Sequence, residues 1–377
     1  MKTYKNLFPQ TQQVEIIDEA FRVAIKRKTR RKNVKYLVDN YEKAKAALQR
    51  LIDGILNDTV KPYIHHAIEI NDGFKLKKRT ILQPYFSEKN PEQWLQHLII
   101  QILKPIFSKG MYEFSCGSVP GRGVHYGKKY LEKYIKNNPK KLKYALKSDI
   151  YHFYETVDTE LIKERLRKII KDEKFLKLVF FVLDSNTGIK KDGTVFRPGL
   201  PIGFYTSQWF ANWFLQPFDH YVKEELKATF YMRYMDDIVI YGSNKRELHK
   251  IFKGIEKYFS GVGLGVKDNW QIFPFDYIDK NGVRRGRFID FMGFKFYRDK
   301  ITIRKTIFLR SCRLARRLKK KVKITWYDST RILSYIGWYR HTDTDNAYKK
   351  YIGPNINVSV CKKLVSKHDR RINHAKN

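Results

Sequence analysis

The sequence predicts an α+β fold in which short strands alternate with amphipathic helices. Two kinds of periodicity carry that prediction. Apolar residues recur at helical spacing after Pro91 (Trp94, Leu95, Leu98, Ile99, Ile102) and after Asp158 (Leu161, Ile162, Leu166, Ile169, Ile170). Runs of β-branched and aromatic residues at Leu142–Ile150, and on both sides of Met235-Asp236-Asp237, read instead as strands. A hydrophobic fraction of 42% supplies a core and excludes a disordered polyelectrolyte. At 377 residues the chain has room for two or three packed subdomains, with no internal repeat and no low-complexity linker.

In chain order, residues 1–55 read as a basic helical N-terminal extension. Within it, Arg22–Lys32 holds seven Lys or Arg and no acid, which suits a solvated helix face or a phosphate-facing one. Asn71-Asp72-Gly73 signals a turn before a strand at Phe74–Leu82. Pro91 opens a helix. Gly117–Gly123 forms a glycine-rich loop ahead of a helix at about 128–136. Asp158 is an N-cap candidate, and a further helix spans Ser207 to about Val222. A strand pair near Phe291–Ile303 precedes a strongly basic helical stretch, because Lys295–Lys323 holds thirteen Lys or Arg against one Asp.

Charge narrows the function. Lys and Arg number 76 against 38 Asp and Glu, a formal +38. Self-repulsion of that size calls for a polyanion partner. No apolar run reaches the ~18–20 residues needed to span a bilayer, and no apolar segment follows the first five residues, so neither a membrane nor a secreted protein is expected. Cys116, Cys312 and Cys361 show no metal-ligand or disulfide spacing, consistent with a reduced, cytoplasmic protein. Aromatic residues at 15% provide flat surfaces for stacking on bases, although most are expected in the core.

The chemistry concentrates in three acids. In Tyr231–Gly242, two strand-like flanks enclose Asp236 and Asp237 at a tight turn. Two like charges ~4 Å apart repel by about 4 kcal/mol at an effective dielectric of 20, so an acidic turn of this kind suggests a metal cation; a solvated hairpin turn is the alternative. A second strand ends at Ser148-Asp149. Side by side in one antiparallel sheet, Asp149 and Asp236 would converge on one edge. Phosphoryl transfer needs that arrangement, with two divalent cations ~3.5–4 Å apart held by carboxylates. Mg²⁺ suits such a site.

These residues resemble the reverse transcriptases, and within them the diversity-generating retroelement group. Tyr234-Met235-Asp236-Asp237 matches the family's catalytic hairpin, and Asp149 with Tyr154 matches its first catalytic motif. The resemblance implies a right-hand polymerase with fingers at 56–145, a palm at 146–300 (about 165–200 returning to the fingers) and a basic helical thumb and tail at 301–377. It implies two Mg²⁺ ions, replaceable by Mn²⁺, on Asp149, Ile150, Asp236 and Asp237. Tyr154 would act as the steric gate against a ribose 2′-OH. Lys78 and Arg79, within Lys77–Ile81, would grip the incoming triphosphate, and Lys267 would lie near it. Gly199–Gln208 matches the dNTP-pocket loop. Most of the family reads Q-G-x-x-x-S-P there, whereas this chain reads Ile202-Gly203-x-x-x-Ser207-Gln208, the variant of the diversity-generating enzymes. Ser115–His125, with Arg122 and Gly123, resembles the template-cradling block; Phe291-Met292-Gly293 resembles the primer grip; Arg313, Arg316 and Arg317 would follow the duplex.

The resemblance covers about residues 60–345. It implies an RNA template, a DNA or RNA primer, dNTPs, and a small basic accessory variability protein as partners. The expected activity is error-prone, adenine-mutagenic cDNA synthesis from a template-repeat RNA. No carboxylate set for RNase H follows the primer-grip block. The alternatives are another bacterial reverse transcriptase (group II intron-like, retron-like or abortive-infection) and a non-catalytic RNA-binding scaffold. The scaffold has no need of all three acids.

Overall fold

The computed structural model describes residues 2–72 and 77–374. The expected turn at Gly73 and the expected strand's first residues, Phe74–Leu76, lie outside them. The N-terminal extension is helical: α1 (Val14–Ile25), α2 (Lys32–Asp39) and α3 (Tyr41–Leu56). Helix α1 buries Ile17, Ala20, Phe21 and Ala24, an i, i+3, i+4, i+7 stripe. The strands β1 (Ile64–Asp72) and β2 (Lys77–Leu82) are antiparallel, with Ala67 opposite Leu82 and Ile70 opposite Arg79. After Pro91, α4 (Glu92–Ser108) is buried on almost every face, and α5 (Val124–Asn137) starts at Gly123.

Strand β3 (Tyr144–Asp149) leads to the short α6 (Phe153–Thr156) and to α7 (Thr159–Ile169). Asp158 caps α7, accepting a 2.8 Å hydrogen bond from the Glu160 N–H. Then come α8 (Glu173–Asp184), β4 (Thr187–Ile189), β5 (Val195–Phe196), α9 (Tyr205–Phe214) and α10 (Gln216–His220). The single helix expected over Ser207–Val222 is therefore broken. Pro217 sits in the first turn of α10, where its missing N–H costs nothing; inside a continuous helix it would remove a bond and clash. The strands β6 (Phe230–Tyr234) and β7 (Asp237–Gly242) form the acidic hairpin, followed by α11 (Lys245–Gly261), β8 (Gln271–Pro274), β9 (Tyr277–Ile278) and β10 (Arg284–Arg285).

The tail begins as three strands, β11 (Ile289–Phe291), β12 (Phe294–Phe296) and β13 (Ile301–Ile303), and continues as α12 (Lys305–Lys319), α13 (Trp326–Arg340), α14 (Asp345–Tyr351) and α15 (Val358–His374). The basic helix thus starts at Lys305 rather than at Lys295. Phe294, Phe296, Ile301 and Ile303 are buried at alternate positions, a period-2 pattern that fits a strand and not a helix.

The chain forms two compact units. One comprises Met1–Pro120, Ser148–Ala228 and Lys250–Trp270; the other comprises Gly121–Lys147, Thr229–His249 and Gln271–Asn377. In the first, α4 packs against α1 and α9, and a four-stranded sheet has the order β2-β1-β4-β5. The second holds a sheet in the order β6-β7-β3-β8 and the three-stranded β11-β12-β13 sheet. There α12–α15 close on a cluster including Ala315, Leu318, Ile332, Ile336, Ile352 and Cys361. Among the described residues no helix is long and apolar enough to cross a membrane.

One buried group in the first unit gives the fold a pH dependence. His97 of α4 stacks on Tyr205 with ring centroids 3.8 Å apart, and its Nδ1 is buried without a hydrogen-bond partner. Burial, aided by the charge of Lys28, pushes the imidazole down to about 3. The unfolded chain protonates this group near ~6.5, so between that pH and about 3 the unfolded state binds one more proton. Stability must fall as pH falls through this window, by up to roughly 1.4 kcal/mol per pH unit. His97→Gln should flatten that slope in urea-unfolding midpoints measured from about pH 7 to pH 4, the span that lies between the two values. Parallel curves for parent and variant would refute the assignment.

Candidate active site

The acidic hairpin lies in the second unit. Strands β6 and β7 pair from Phe230 opposite Tyr241 to Tyr234 opposite Asp237, leaving Met235 and Asp236 as the turn. Met235 takes a left-handed conformation (φ 57°). Arg233, fully buried, donates from its guanidinium to the Met235 carbonyl at 3.0 Å. That bond fixes the turn from below, and sequence reasoning missed it. Its signal was an arginine within the otherwise uncharged Phe230–Tyr234 strand. Lys147 of β3 places its ammonium 3.6 Å from Asp237 Oδ2.

Asp149, the last residue of β3, belongs to the first unit. Its backbone carbonyl accepts from the Lys267 N–H at 2.9 Å, and its carboxylate is paired with the Lys267 ammonium. Lys267, expected near a triphosphate, is thus held on Asp149. Ile150 is fully buried and bridges Val266; its side chain has no donor atom, so only its carbonyl could serve a cation. Among the described residues no three His, Cys, Asp or Glu side chains are gathered into one metal-binding group.

The individual donors suit a hard divalent cation. Asp149 and Asp237 are part-exposed carboxylates, and each already has a lysine ammonium as its neighbour. Oxygen donors of this type match Mg²⁺, which is held by one or two carboxylates plus substrate phosphates.

Backbone bonds tie the expected nucleotide-pocket loop to α6 and to β2 within the first unit. The Leu200 N–H donates to the Tyr154 carbonyl at 2.8 Å, and the Gly199 N–H donates to the Glu155 carbonyl at 3.1 Å. The Leu82 N–H at the end of β2 donates to the Ile202 carbonyl at 2.9 Å. Strand β2 also carries Lys78 and Arg79, both exposed. Ser207 Oγ closes the loop on the Pro201 carbonyl at 2.7 Å. The Tyr205 N–H, opening α9, donates to Gln96 Oε1 at 3.0 Å. Gln208 is exposed and Ile202 half-buried. Beside the loop, Lys28 and Arg31 of the basic N-terminal stretch line a groove of about 410 Å³ together with Ile68, Ile70, Ile81 and Gly203.

A second groove, of about 360 Å³, lies in the second unit on α12 and α13, where Arg310, Arg313, Leu314, Arg317, Arg331 and Tyr335 surround it. Arg316 is exposed too but is not part of its wall. Arg122 and Gly123 precede α5, part-exposed. Phe291 and Met292 are buried, so the turn they begin presents backbone, not these side chains.

Interleaved strands and helices, an acidic hairpin and a loop bound to a fingers-like strand define an α+β fold of the right-hand polymerase type. In fold the chain is similar to apo telomerase from Candida tropicalis (TM-score 0.52, 13% identity, covering 81% of this chain and 57% of that one). It is also similar to telomerase from the same organism in complex with a TWJ fragment of telomeric RNA (TM-score 0.50, 14% identity, 82% and 54%). Residues 92–274 match the family described as reverse transcriptase (RNA-dependent DNA polymerase). It is 22% identical over 231 residues to Protein YkfC of Escherichia coli (strain K12), covering 60% of this chain and 54% of that protein. The chain thus spans about half the length of the proteins it matches. The matched region holds Asp149, Tyr154, the Ile202–Gln208 loop, Asp236, Asp237 and Lys267; Lys78, Arg79, the Phe291–Gly293 turn and α12 lie outside it.

Gly203 shows how tightly the loop is held. Its φ is +117°, and a Cβ there would lie 2.2 Å from the Leu82 carbonyl oxygen. Gly203→Ala should therefore strain the backbone and push the loop off β2, a loss of about 1–3 kcal/mol in urea unfolding. Gly193 also has positive φ (+83°) but open space around it, so Gly193→Ala reports the φ strain alone. Equal losses in the two variants would show that the Leu82 contact is not limiting.

Proposed function

We propose that this chain is an RNA-directed DNA polymerase that extends a DNA or RNA primer on an RNA template with dNTPs. The observation that carries the reading is the family match over residues 92–274, which includes all three acids. Asp149, Asp236 and Asp237, with the Ile150 carbonyl, are the residues that would hold two Mg²⁺ ions, for which Mn²⁺ could substitute. Bound there, the ions would stabilise the attacking and leaving oxygens of phosphoryl transfer. The chain's own residues then position. Tyr154 stands against a 2′-OH, Lys78, Arg79 and Lys267 take the triphosphate, and Ile202, Gly203 and Gln208 form the pocket wall. Arg122 and Gly123 take template, and the Phe291–Gly293 turn takes the primer end. Arg313, Arg316 and Arg317 contact duplex phosphates as exposed cations of α12. The excess of basic charge supports a nucleic-acid partner, and the scattered Cys116, Cys312 and Cys361 support a reducing, cytoplasmic site of action.

Within the family we assign the chain to the diversity-generating group, with a template-repeat RNA and a small basic accessory protein as partners. The support is the pocket sequence Ile202-Gly203-x-x-x-Ser207-Gln208. Ile202 offers no side-chain hydrogen bond where most of the family has Gln, and it is stiff at its β-carbon.

Two experiments test these readings. On a primed RNA with Mg²⁺, the parent should synthesise DNA, and Asp149→Ala or Asp236→Ala should reduce the rate by at least about a thousandfold, some 4 kcal/mol by the tenfold-per-1.36 kcal/mol rule. RNA binding by filter retention should change little, because the basic surface binds phosphate without the metals. Full polymerisation by Asp236→Ala would falsify the metal assignment. For the finer reading, one restored hydrogen bond is worth about 0.5–1.5 kcal/mol, or roughly 2- to 13-fold in selectivity. Ile202→Gln should lower misincorporation by about that factor, most visibly opposite template adenine, in cDNA sequenced from one defined RNA. An identical error spectrum, with adenine no worse than other bases in the parent, would sink the diversity-generating assignment.

A further inference from the structure

Lys147 stands in β3, two residues before Asp149, and no part of the mechanism above uses it. Its ammonium makes two contacts within the second unit. It lies 3.6 Å from Asp237 Oδ2, and it donates a hydrogen bond to the backbone carbonyl of Asp290. Asp290 is the central residue of β11, immediately before the Phe291–Gly293 segment.

The run of polar contacts continues beyond Asp290. The Asp290 carboxylate accepts from Arg304 Nε at 2.6 Å. The Arg304 backbone N–H donates to the Gly293 carbonyl at 2.9 Å, and Arg304 is the N-cap of α12. Gly293 cannot slide away from this arrangement. Its φ is +88°, and a Cβ there would meet the Trp338 ring at 2.7 Å and the Ile307 Cδ1 at 3.0 Å. The Met292–Gly293 turn is therefore pressed onto α12 and α13. Lys147 contacts both this framed turn's strand and the acidic hairpin.

An ordinary part-exposed ion pair would contribute about 0–1 kcal/mol and position nothing. Lys147 differs in spanning two hairpins at once. One ammonium is ion-paired with the carboxylate of the first and hydrogen-bonded to the carbonyl of the second, so a displacement of the acidic hairpin weakens an ion pair and a displacement of β11 breaks a charge-assisted hydrogen bond.

We propose that Lys147 is a positioning residue for polymerisation, fixing Asp237 against β11 and hence against the Met292–Gly293 turn that takes the primer end. The proposal rests on the polymerase reading. Lys147 would act through Asp237 and the Asp290 carbonyl, the groups its ammonium meets. The nucleotide loop is held by other bonds, from Leu82 to Ile202 and from Leu200 to Tyr154, so loss of Lys147 should slow the reaction without weakening dNTP binding.

The test is single-nucleotide primer extension by Lys147→Met, which keeps an unbranched chain and removes the charge. The turnover number should fall by about ten- to a hundredfold, because small misplacements of reacting groups are costly. The KM for dNTP and the Kd for primer–template should stay within about twofold, limits chosen to be well below that loss. Lys147→Arg should recover most of the rate. Arg304→Met, at the far end of the same run, should give the same signature, and it carries the test if Lys147→Met does not fold. A readout without metal is a double-mutant cycle of Lys147→Met with Asp237→Asn, measured by urea unfolding in EDTA; the two changes should be non-additive. A folded Lys147→Met with the parent's turnover number, or an additive cycle, overturns the proposal. If the parent itself makes no DNA on any primed RNA while the cycle is non-additive, the polymerase reading has failed and the primer-positioning role falls with it.

Discussion

The structure depends most on the need to hold two adjacent carboxylates at a sharp turn in a chain with few acids to spare. Asp236 and Asp237 repel each other, and a two-residue turn gives them no distance. The fold answers from the surrounding strands. Buried Arg233 grips the Met235 carbonyl at 3.0 Å, so the left-handed turn is fixed by a bond from within β6. Lys147 brings positive charge to Asp237 from the neighbouring strand. Both cations are placed by the sheet, and the sheet's register follows from buried residues such as Tyr231, Met232, Ile238, Val239 and Ile240. Both faces of these strands are buried, so a register slip of one residue would exchange each of these side chains between two differently packed faces. Apolar burial and electrostatic placement are therefore the same constraint here.

The first unit solves a different problem, which is to keep a glycine-containing loop in one place. Its bonds run to three separate elements: to the carbonyls of Tyr154 and Glu155, to the Leu82 N–H, and through Tyr205 to Gln96. Gln96 is itself buried in α4 and bonded to Glu92, which also meets His65 at 2.8 Å. The loop is thus anchored through a buried polar network. Such a network is rigid when satisfied and costly when broken. Helix α4 is buried on nearly every face because it carries this network as well as α1 on one side and α9 on another.

What could be read from the sequence follows from how local each signal is. The Tyr234–Asp237 hairpin, the Asp158 cap and the β3 strand rest on residues close together in the chain, and the structure has them where spacing put them. The break at Pro217 was equally local but was outweighed by apolar periodicity on both sides of it. The strand pair expected near Phe291–Ile303 lies within β11–β13, where the alternation of Phe294, Phe296, Ile301 and Ile303 is a local signal too; the basic count that begins at Lys295 overlaps these strands, and the helix itself starts at Lys305. The roles of Lys147 and Arg233 were not legible, because their partners are set by strand pairing and turn geometry. Nor was the division into two units. The chain passes between them five times, and two of those passages, inside β3 and inside α11, have no linker composition to mark them.

The distribution of charge completes the physical picture. A formal +38 is tolerable only if the cations stay in water or meet an anion. Helix α12 shows how this is arranged. Its apolar residues Leu314, Ala315 and Leu318 are buried with Ile332 and Ile336, while Arg310, Arg313 and Arg317 are gathered on a groove that Arg331 and Tyr335 complete. Four guanidiniums around one groove repel each other in the free protein. Each is a planar donor suited to phosphate, so a polyanion entering the groove relieves the repulsion as it binds. The same charges that weaken the free protein would thereby favour a complex with a polyanion, and salt, which screens both effects, would narrow the difference between them.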